Sequence, residues 1–118
     1  MTSPHVLIVD DDHNLGNICS IVFKHSGLEA EVIVDGHSAL ERLKEIKPKM
    51  ILLDLHMPGL SGQAVLDEIK ADERLSDTII VLTTADLIVM QKLENKVDQI
   101  LPKPFKIEQL RHLASTLL

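Results

Sequence analysis

A chain of 118 residues, 45% hydrophobic and 25% charged, suits one compact domain, and this composition argues against a disordered protein. The formal net charge of −6 argues against DNA or RNA binding by this chain alone, because a negative surface repels phosphate backbones. Cys19 is the single cysteine, which excludes an internal disulfide and favours a reducing, cytoplasmic location.

The start of the chain and its apolar runs bear on membranes. Residues 1–5 contain no basic segment leading into a long apolar stretch, and no apolar run is long enough to cross a bilayer. We therefore expect neither a signal peptide nor a membrane span. We expect one domain over residues 1–118, with no output domain in this chain.

Short apolar segments rich in β-branched residues alternate with longer amphipathic segments, which is typical of strands alternating with helices. In chain order, the pattern predicts strand Val6–Val9, helix Asn14–His25, strand Glu31–Val34, helix Ser38–Ile46, strand Met50–Leu53, helix Gly62–Ala71, strand Thr78–Leu82, helix Leu87–Leu93, strand Gln99–Leu101 and helix Ile107–Leu117.

The first helix is expected to place an apolar face on the core, and turn residues mark several element ends. The face predicted for the core consists of Leu15, Ile18, Ile21 and Val22. Gly27 suits the position after a helix C-terminus, and Ser61 can cap the third helix. Asp35-Gly36 is a turn signal.

The apolar run Leu87–Met90 of the fourth helix has two interpretations. It packs into the core, with Ile88, Val89 and Leu93 on the buried face, or it is an exposed surface for a partner protein. The spacing favours core packing but leaves the second interpretation open.

Apolar strands that alternate with helices predict a (βα)₅ fold, in which a parallel sheet is covered on both faces. Functional sites of such sheets lie at the carboxyl ends of the strands. Four predicted strand ends carry polar residues, and these are Asp10 with Asp11, Asp54, Thr83 and Lys103. We therefore expect these side chains to converge at one edge of the sheet.

The charges at this edge call for a cation. Carboxylates about 5 Å apart repel by roughly 3 kcal/mol per pair at an effective dielectric near 20. Lys103 supplies one positive charge, and a divalent ion would supply two more. Oxygen ligands in an open site favour Mg²⁺, whereas the six His residues and Cys19 lack the spacing of a zinc site.

A carboxylate beside a metal, a lysine and a hydroxyl is suited to phosphoryl transfer. Asp54 is the candidate nucleophile, because an Asp carboxylate can form an aspartyl-phosphate. Lys103 would neutralise oxygens of the transferring group, and Thr83 would donate a hydrogen bond to one of them.

The segments VLIVDDD, LLDLHMPGLSG, VLTT and LPKPF, in this order, resemble the receiver domains of two-component signalling. The resemblance extends from Val6 to about Leu117 and is carried by the four segments together. It implies a flavodoxin-like, doubly wound α/β fold with a five-stranded parallel sheet in the order 2-1-3-4-5.

The resemblance also implies roles for individual residues. Asp54 corresponds to the phosphorylated aspartate, Asp11 to a direct metal ligand and Asp10 to its neighbour, which often acts through water. The backbone carbonyl of His56 corresponds to the third protein ligand of the metal, and its side chain is expected to face solvent and modulate the site. Thr83 corresponds to the switch hydroxyl.

Lys103 corresponds to the lysine that contacts the phosphoryl group, and the resemblance implies a cis peptide bond between Lys103 and Pro104. Ile100 stands where the family usually has Tyr or Phe, and Thr84 replaces a more common Ala or Ser. The span from Thr83 to Lys103 is also shorter than usual. We therefore expect an output mode that differs from that of most receivers.

The resulting hypothesis is a switch that accepts a phosphoryl group on Asp54 from a histidine kinase or phosphotransfer protein, with Mg²⁺ as cofactor. Its output would pass to an output domain or a downstream protein partner. Such a protein acts only on itself and is not an enzyme with a diffusible substrate. Two alternatives remain. One is a degenerate receiver that binds partners without phosphorylation, and the other is a Mg²⁺-dependent phosphohydrolase that uses an aspartyl-phosphate.

Overall fold

The computed structural model describes residues 4–118 and contains a five-stranded parallel sheet with helices on both faces. The strands are β1 (Val6–Val9), β2 (Ala30–Ile33), β3 (Met50–Asp54), β4 (Ile79–Thr84) and β5 (Gln99–Pro102). The helices are α1 (His13–His25), α2 (Gly36–Leu43), α3 (Gly62–Ala71), α4 (Leu87–Leu93) and α5 (Ile107–Ser115), and a 3-10 helix covers Glu73–Leu75.

The strand order is β2-β1-β3-β4-β5, which confirms the predicted topology. β1 lies between β2 and β3, with Val9 opposite Ile33 on one side and Leu53 on the other. The order reverses at β1, which is where open α/β sheets form a crevice beyond the carboxyl ends of the strands.

Two aliphatic cores lie on opposite faces of the sheet. Alternate strand residues such as Leu7 and Val9 pack with α2, α3 and α4, whereas Val6 and Ile8 pack with α1 and α5. Phe23 of α1 is fully buried in the second core. Because both faces of the sheet are covered, β1 and β3 are buried along their whole length.

The predicted core face of α1 was partly wrong. Ile18 and Ile21 are 47% and 55% exposed. The buried face instead carries small residues at helical spacing together with Val22 and Phe23, and the small residues are Gly16, Cys19 and Ser20. A Cβ atom on Gly16 would lie 2.8 Å from Cγ1 of Val32, so α1 approaches β2 closely at this point. Side-chain size, and not only hydrophobicity, determines which face of α1 contacts the sheet.

Local capping explains several boundaries. The Asp35-Gly36 signal marks a helix start and not an isolated turn, because Asp35 Oδ1 accepts a hydrogen bond of 2.8 Å from the Ser38 amide. α2 therefore begins two residues earlier than predicted and ends at Leu43. Ser61 caps α3 as expected. Gly27 follows α1 with φ of +90°, the left-handed conformation that favours glycine.

The amino ends of the strands are joined by polar contacts between loops. Arg74 donates hydrogen bonds to the carbonyl oxygens of Leu43 and Ile46, beyond the end of α2. Thr78 Oγ1 donates to the Pro48 carbonyl oxygen at 2.9 Å, and Asp98 Oδ2 accepts from the Ile80 amide at 2.8 Å. These contacts hold together the loops at the amino ends of the strands, whereas the predicted site lies at the carboxyl ends.

Over the described part of the chain, no helix is both long and apolar enough to span a bilayer. The prediction about a signal peptide depends on residues 1–5, and the first three of these lie outside the described residues.

Candidate functional site

Strand register places the predicted site residues at one edge of the sheet. Asp10 directly follows β1, and Asp54 is the last residue of β3. Thr83 of β4 lies opposite Asp54 in the parallel ladder. Lys103 directly follows β5, whose last residue lies opposite Thr84. Residues distant in sequence therefore meet because parallel strands end together.

Lys103 joins two buried carboxylates. Its Nζ lies 3.0 Å from Asp10 Oδ2 and 3.4 Å from Asp54 Oδ2. Asp10 and Asp54 are only 5% and 3% exposed, so both carboxylates are largely removed from water. The backbone of Lys103 is held by a hydrogen bond of 2.9 Å from its amide to the Thr84 carbonyl oxygen. The Lys103–Pro104 peptide bond is cis, as the resemblance implied.

The second oxygen of each buried carboxylate accepts a backbone hydrogen bond from two residues further along. Asp10 Oδ1 accepts from the Asp12 amide at 2.9 Å, and Asp54 Oδ1 accepts from the His56 amide at 3.0 Å. Asp12 in turn caps α1, with its own Oδ1 accepting from the Asn14 and Leu15 amides. Both carboxylates are thus oriented by the loops that follow their strands.

Burial and charge act in opposite directions on the site residues. Desolvation by burial, together with the Asp10 charge, raises the pKa of Asp54, although the His56 amide and Lys103 oppose this rise. Burial alone would lower the pKa of Lys103, but the hydrogen bond and charge of Asp10 and the charge of Asp54 raise it overall. Lys103 is therefore a cation at neutral pH.

The acidic cluster fits a hard divalent cation. Asp10, Asp11 and Asp54 each offer one carboxylate oxygen, and these oxygens lie within 4.8 Å of one another. Asp11 is exposed, whereas the other two carboxylates are buried, so the cluster opens to solvent on one side. Three carboxylates face one lysine, which leaves excess negative charge. An all-oxygen, partly open donor set is the kind that Mg²⁺ prefers.

Gly62 is a residue whose role the sequence did not indicate. It begins α3, and a Cβ atom there would lie 2.3 Å from the Asp54 carbonyl oxygen and 2.5 Å from the Leu55 Cα atom. The Gly62 amide donates a hydrogen bond of 3.3 Å to the Leu55 carbonyl oxygen. The start of α3 therefore rests directly on the backbone that carries Asp54. A glycine one residue after a capping serine was the available signal.

His56 and Thr84 make a contact that the sequence also did not predict. The His56 side chain is exposed, as expected, yet its Nε2 lies 3.1 Å from Thr84 Oγ1. The Thr84 hydroxyl also accepts a hydrogen bond of 3.1 Å from the Asp86 amide. These contacts connect the loop after β3 with the loop after β4.

The fourth helix agrees in part with each of its two interpretations, since its first residues are exposed and its last residue is buried. Leu87 and Ile88 are 72% and 64% exposed, so Ile88 was wrongly placed on the buried face. Val89 packs partly against the core, and Leu93 is buried. Ile100, in the position where the family usually has an aromatic residue, also packs against this core.

Comparisons with known proteins agree with this geometry. A family model described as "Response regulator receiver domain" matches residues 6–115. The DNA-binding response regulator MtrA of Mycobacterium tuberculosis is 35% identical over 105 residues, covering 89% of this chain and 46% of that protein. The regulator RpaA of Synechocystis is 30% identical over 110 residues, covering 91% of this chain and 46% of that protein. This chain thus spans about half the length of these curated relatives.

Among solved structures, the chemotaxis response regulator CheY4 of Vibrio cholerae superimposes with a TM-score of 0.86 at 27% identity, covering 99% of this chain and 100% of that chain. This likeness extends over both faces of the sheet and all of its strands.

Proposed function

We propose that this chain, which belongs to the response regulator receiver domain family, takes a phosphoryl group on Asp54 and thereby switches between two signalling states. A phosphoacceptor role in two-component signalling is supported by the family. The observation that carries the assignment to Asp54 is its environment. This carboxylate is buried at a strand end, with one oxygen near Lys103 and the other bonded to a backbone amide, and, in contrast to Asp10, it lies opposite Thr83 in the parallel ladder.

The transfer is a direct displacement at phosphorus. A carboxylate oxygen of Asp54 attacks the phosphorus of a phosphohistidine, and the new P–O bond forms as the P–N bond breaks. The donor nitrogen keeps the electron pair of that bond, and the donor imidazole leaves neutral with its proton on the other ring nitrogen. Later, water attacks the phosphorus, inorganic phosphate leaves, and the Asp54 carboxylate is restored.

Lys103 is positioned to act on both states of Asp54. Its ammonium lies 3.4 Å from Asp54 Oδ2 and would neutralise oxygens of the arriving phosphoryl group. Its contact of 3.0 Å with Asp10 keeps the ammonium at the site before transfer. Thr83, opposite Asp54 in the ladder, would supply a hydroxyl donor to the phosphoryl group.

We assign the Mg²⁺ site to the carboxylates of Asp10, Asp11 and Asp54 and to the backbone carbonyl of His56. The clustered carboxylate oxygens support this assignment, since they need a cation beyond Lys103. When bound, the ion would neutralise charge that develops on the transferring phosphoryl oxygens.

The implied partners are a histidine kinase or histidine phosphotransfer protein as the donor, and an output domain or downstream protein as the receiver of the signal. The chain would act in the cytoplasm, where such donors present their phosphohistidine. The chemistry is directed at its own Asp54, so we class it as a switch and not as an enzyme.

Phosphodonor labelling tests the proposal directly. Purified protein incubated with acetyl phosphate and Mg²⁺ should gain the mass of one phosphoryl group, mapped to Asp54 by peptide analysis. Asp54→Asn should abolish labelling and leave the circular dichroism spectrum unchanged. Asp11→Ala should weaken Mg²⁺ binding and labelling, whereas Asp77→Asn, at an exposed position outside the cluster, should change neither.

The same experiment separates the alternatives. Wild-type protein that binds Mg²⁺ but gains no mass at Asp54 would favour a degenerate receiver. Sustained turnover of a small phosphoester, lost in Asp54→Ala, would favour a phosphohydrolase.

A further inference from the structure

The Thr84 hydroxyl lies at a junction between the phosphoacceptor loop and the start of α4. Thr84 is only 1% exposed. Its Oγ1 lies 3.1 Å from His56 Nε2 and accepts a hydrogen bond of 3.1 Å from the Asp86 amide. One buried oxygen atom therefore contacts groups from two different loops.

A hydroxyl can satisfy both contacts at once. It has one proton to donate and two lone pairs to accept hydrogen bonds. Since the Asp86 amide uses one lone pair, the proton and the other lone pair remain for the His56 ring. The contact can form whether Nε2 of His56 donates or accepts, so it does not depend on the tautomer.

Each end of this junction continues to a functional element. On one side, the His56 amide donates to Asp54 Oδ1 at 3.0 Å. On the other side, Asp86 is the N-cap of α4, and its Oδ1 accepts from the Ile88 and Val89 amides at 2.9 Å and 3.3 Å. A path of hydrogen bonds, connected through the covalent atoms of His56 and of Asp86, thus joins the Asp54 carboxylate to the first turn of α4.

The start of α4 has little apolar packing of its own. Leu87 and Ile88 are largely exposed, Val89 is only partly buried against the core, and Leu93, at the other end of the helix, is buried. Helices of one to two turns are unstable without such support. The hydrogen bonds at Asp86 therefore act together with the packing of Val89 to fix the position of this turn.

We infer that the Thr84 hydroxyl and the His56 imidazole form a positioning link that sets the first turn of α4 according to the state of Asp54. The inference rests on the proposed function. Phosphorylation converts the Asp54 carboxylate into an acyl phosphate, so the negative charge that the His56 amide faces moves from the carboxylate to the phosphoryl oxygens. Hydrogen bonds to charged groups are stronger than those to neutral groups, so the His56 amide turns toward the phosphoryl oxygens and the loop that carries His56 shifts with it.

The link also fits the departures of this sequence from the family pattern. Ile100 cannot form a hydrogen bond, and it packs against the core beside α4. Thr84 provides a hydroxyl that alanine at this position would lack and that serine would share. Its contacts with His56 and Asp86 give this chain a polar connection to α4.

The test compares hydroxyl-retaining and hydroxyl-free variants at position 84. Wild type, Thr84→Ser and Thr84→Val are saturated with acetyl phosphate and Mg²⁺, and labelling at Asp54 is measured by mass. Amide chemical-shift changes of residues 87–93 are then recorded by NMR. Thr84→Val keeps the β-branched shape and removes only the hydrogen-bonding group.

We expect equal labelling of Asp54 in all three proteins. The α4 shift changes should be retained in Thr84→Ser and reduced about fivefold in Thr84→Val, the factor to which one hydrogen bond of about 1 kcal/mol corresponds. The His56 ring nitrogen resonances should shift in Thr84→Val and not in Thr84→Ser. A hydroxyl that only supported the local packing would not produce this difference. If Thr84→Val does not fold, Thr84→Ala provides the hydroxyl-free arm.

Two results would overturn the inference, and they are distinguishable. If Thr84→Val is labelled at Asp54 and its α4 amide shift changes are as large as those of wild type, the Thr84–His56 contact does not couple Asp54 to α4. The proposed function would remain intact in that case. Absence of labelling in wild type itself would remove the proposed function and the inference with it.

Discussion

Replacing Gly62 by alanine should destabilise the domain, although glycine-to-alanine changes within helices usually stabilise. Gly62 begins α3 with an ordinary backbone conformation, so alanine would be favoured by up to about 1 kcal/mol if space allowed. The added Cβ atom, however, would lie 2.3 Å from the Asp54 carbonyl oxygen and 2.5 Å from the Leu55 Cα atom. Both atoms belong to the backbone of β3 or its continuation, so no side-chain rotation can relieve the clash.

The magnitude follows from these opposing effects. Overpacking of a buried site costs about 3 kcal/mol at the upper end of its usual range, and the helix preference offsets about 1 kcal/mol of this. A net loss of about 2 kcal/mol should lower the midpoint of urea unfolding by about 1 M. Phosphorylation should also slow, because relief of the clash displaces the β3 backbone that positions the Asp54 carboxylate.

Urea unfolding followed by circular dichroism at 222 nm measures the effect. Gln63→Ala is the matched control, since Gln63 is the next residue of the same helix and is exposed. Its free energy of unfolding should stay within about 0.5 kcal/mol of that of wild type. A Gly62→Ala protein as stable as wild type would refute the argument that close backbone approach requires glycine here.

Three further predictions concern individual side chains. Burial raises the pKa of the Cys19 thiol from 9.0 to about 12, so native protein at pH 8 should resist iodoacetamide and react only in concentrated urea. Because the unfolded thiol ionises near pH 9.0 and the folded thiol near pH 12, the free energy of unfolding should fall as pH rises from 9 toward 12. Unfolding curves of wild type and Cys19→Ala should therefore show a smaller decline with pH in the variant. Hydrogen bonds from Ser38 lower the pKa of Asp35, so its cap should stabilise α2 above the unfolded pKa of 3.8 and lose this effect as pH falls through the lower folded value. Thermal melts of Asp35→Ala should therefore differ from wild type at pH 6 and converge with it in strong acid; a constant difference would contradict the capping role. Lys103→Ala should impair labelling of Asp54 but leave Mg²⁺ binding measurable by calorimetry, whereas Lys70→Ala, at an exposed position, should behave as wild type.

The sequence predicted the sheet and the convergence of its polar residues because both follow from the order of short local patterns. Alternating strands and helices determine a parallel sheet, and strand ends place Asp10, Asp54 and Lys103 together whatever the details of packing. Their proposed roles stay predictions until labelling is measured.

Features that depend on close contact between distant segments were not predictable in the same way. The buried face of α1 is chosen by the small size of Gly16, which lets the helix approach Val32, and apolar spacing alone selected Ile18 instead. The requirement for Gly62 arises from the β3 backbone, and the His56–Thr84 contact joins residues that are far apart in the chain. A pattern in one segment carries little information about such approaches, and for Gly62 its position after a capping serine was the available signal.

The polar contacts of Arg74, Thr78 and Asp98 lie toward the amino ends of the strands, whereas Asp54 lies at the carboxyl end of β3, which is about 13 Å long. The hydrogen bonds that join the loops therefore lie at one end of the sheet, and the candidate site lies at the other. We expect substitutions at the amino ends of the strands to change resistance to heat and proteases without changing the lifetime of an acyl phosphate at Asp54. Evolution could thus adjust the durability and the signalling tempo of such a domain independently of each other.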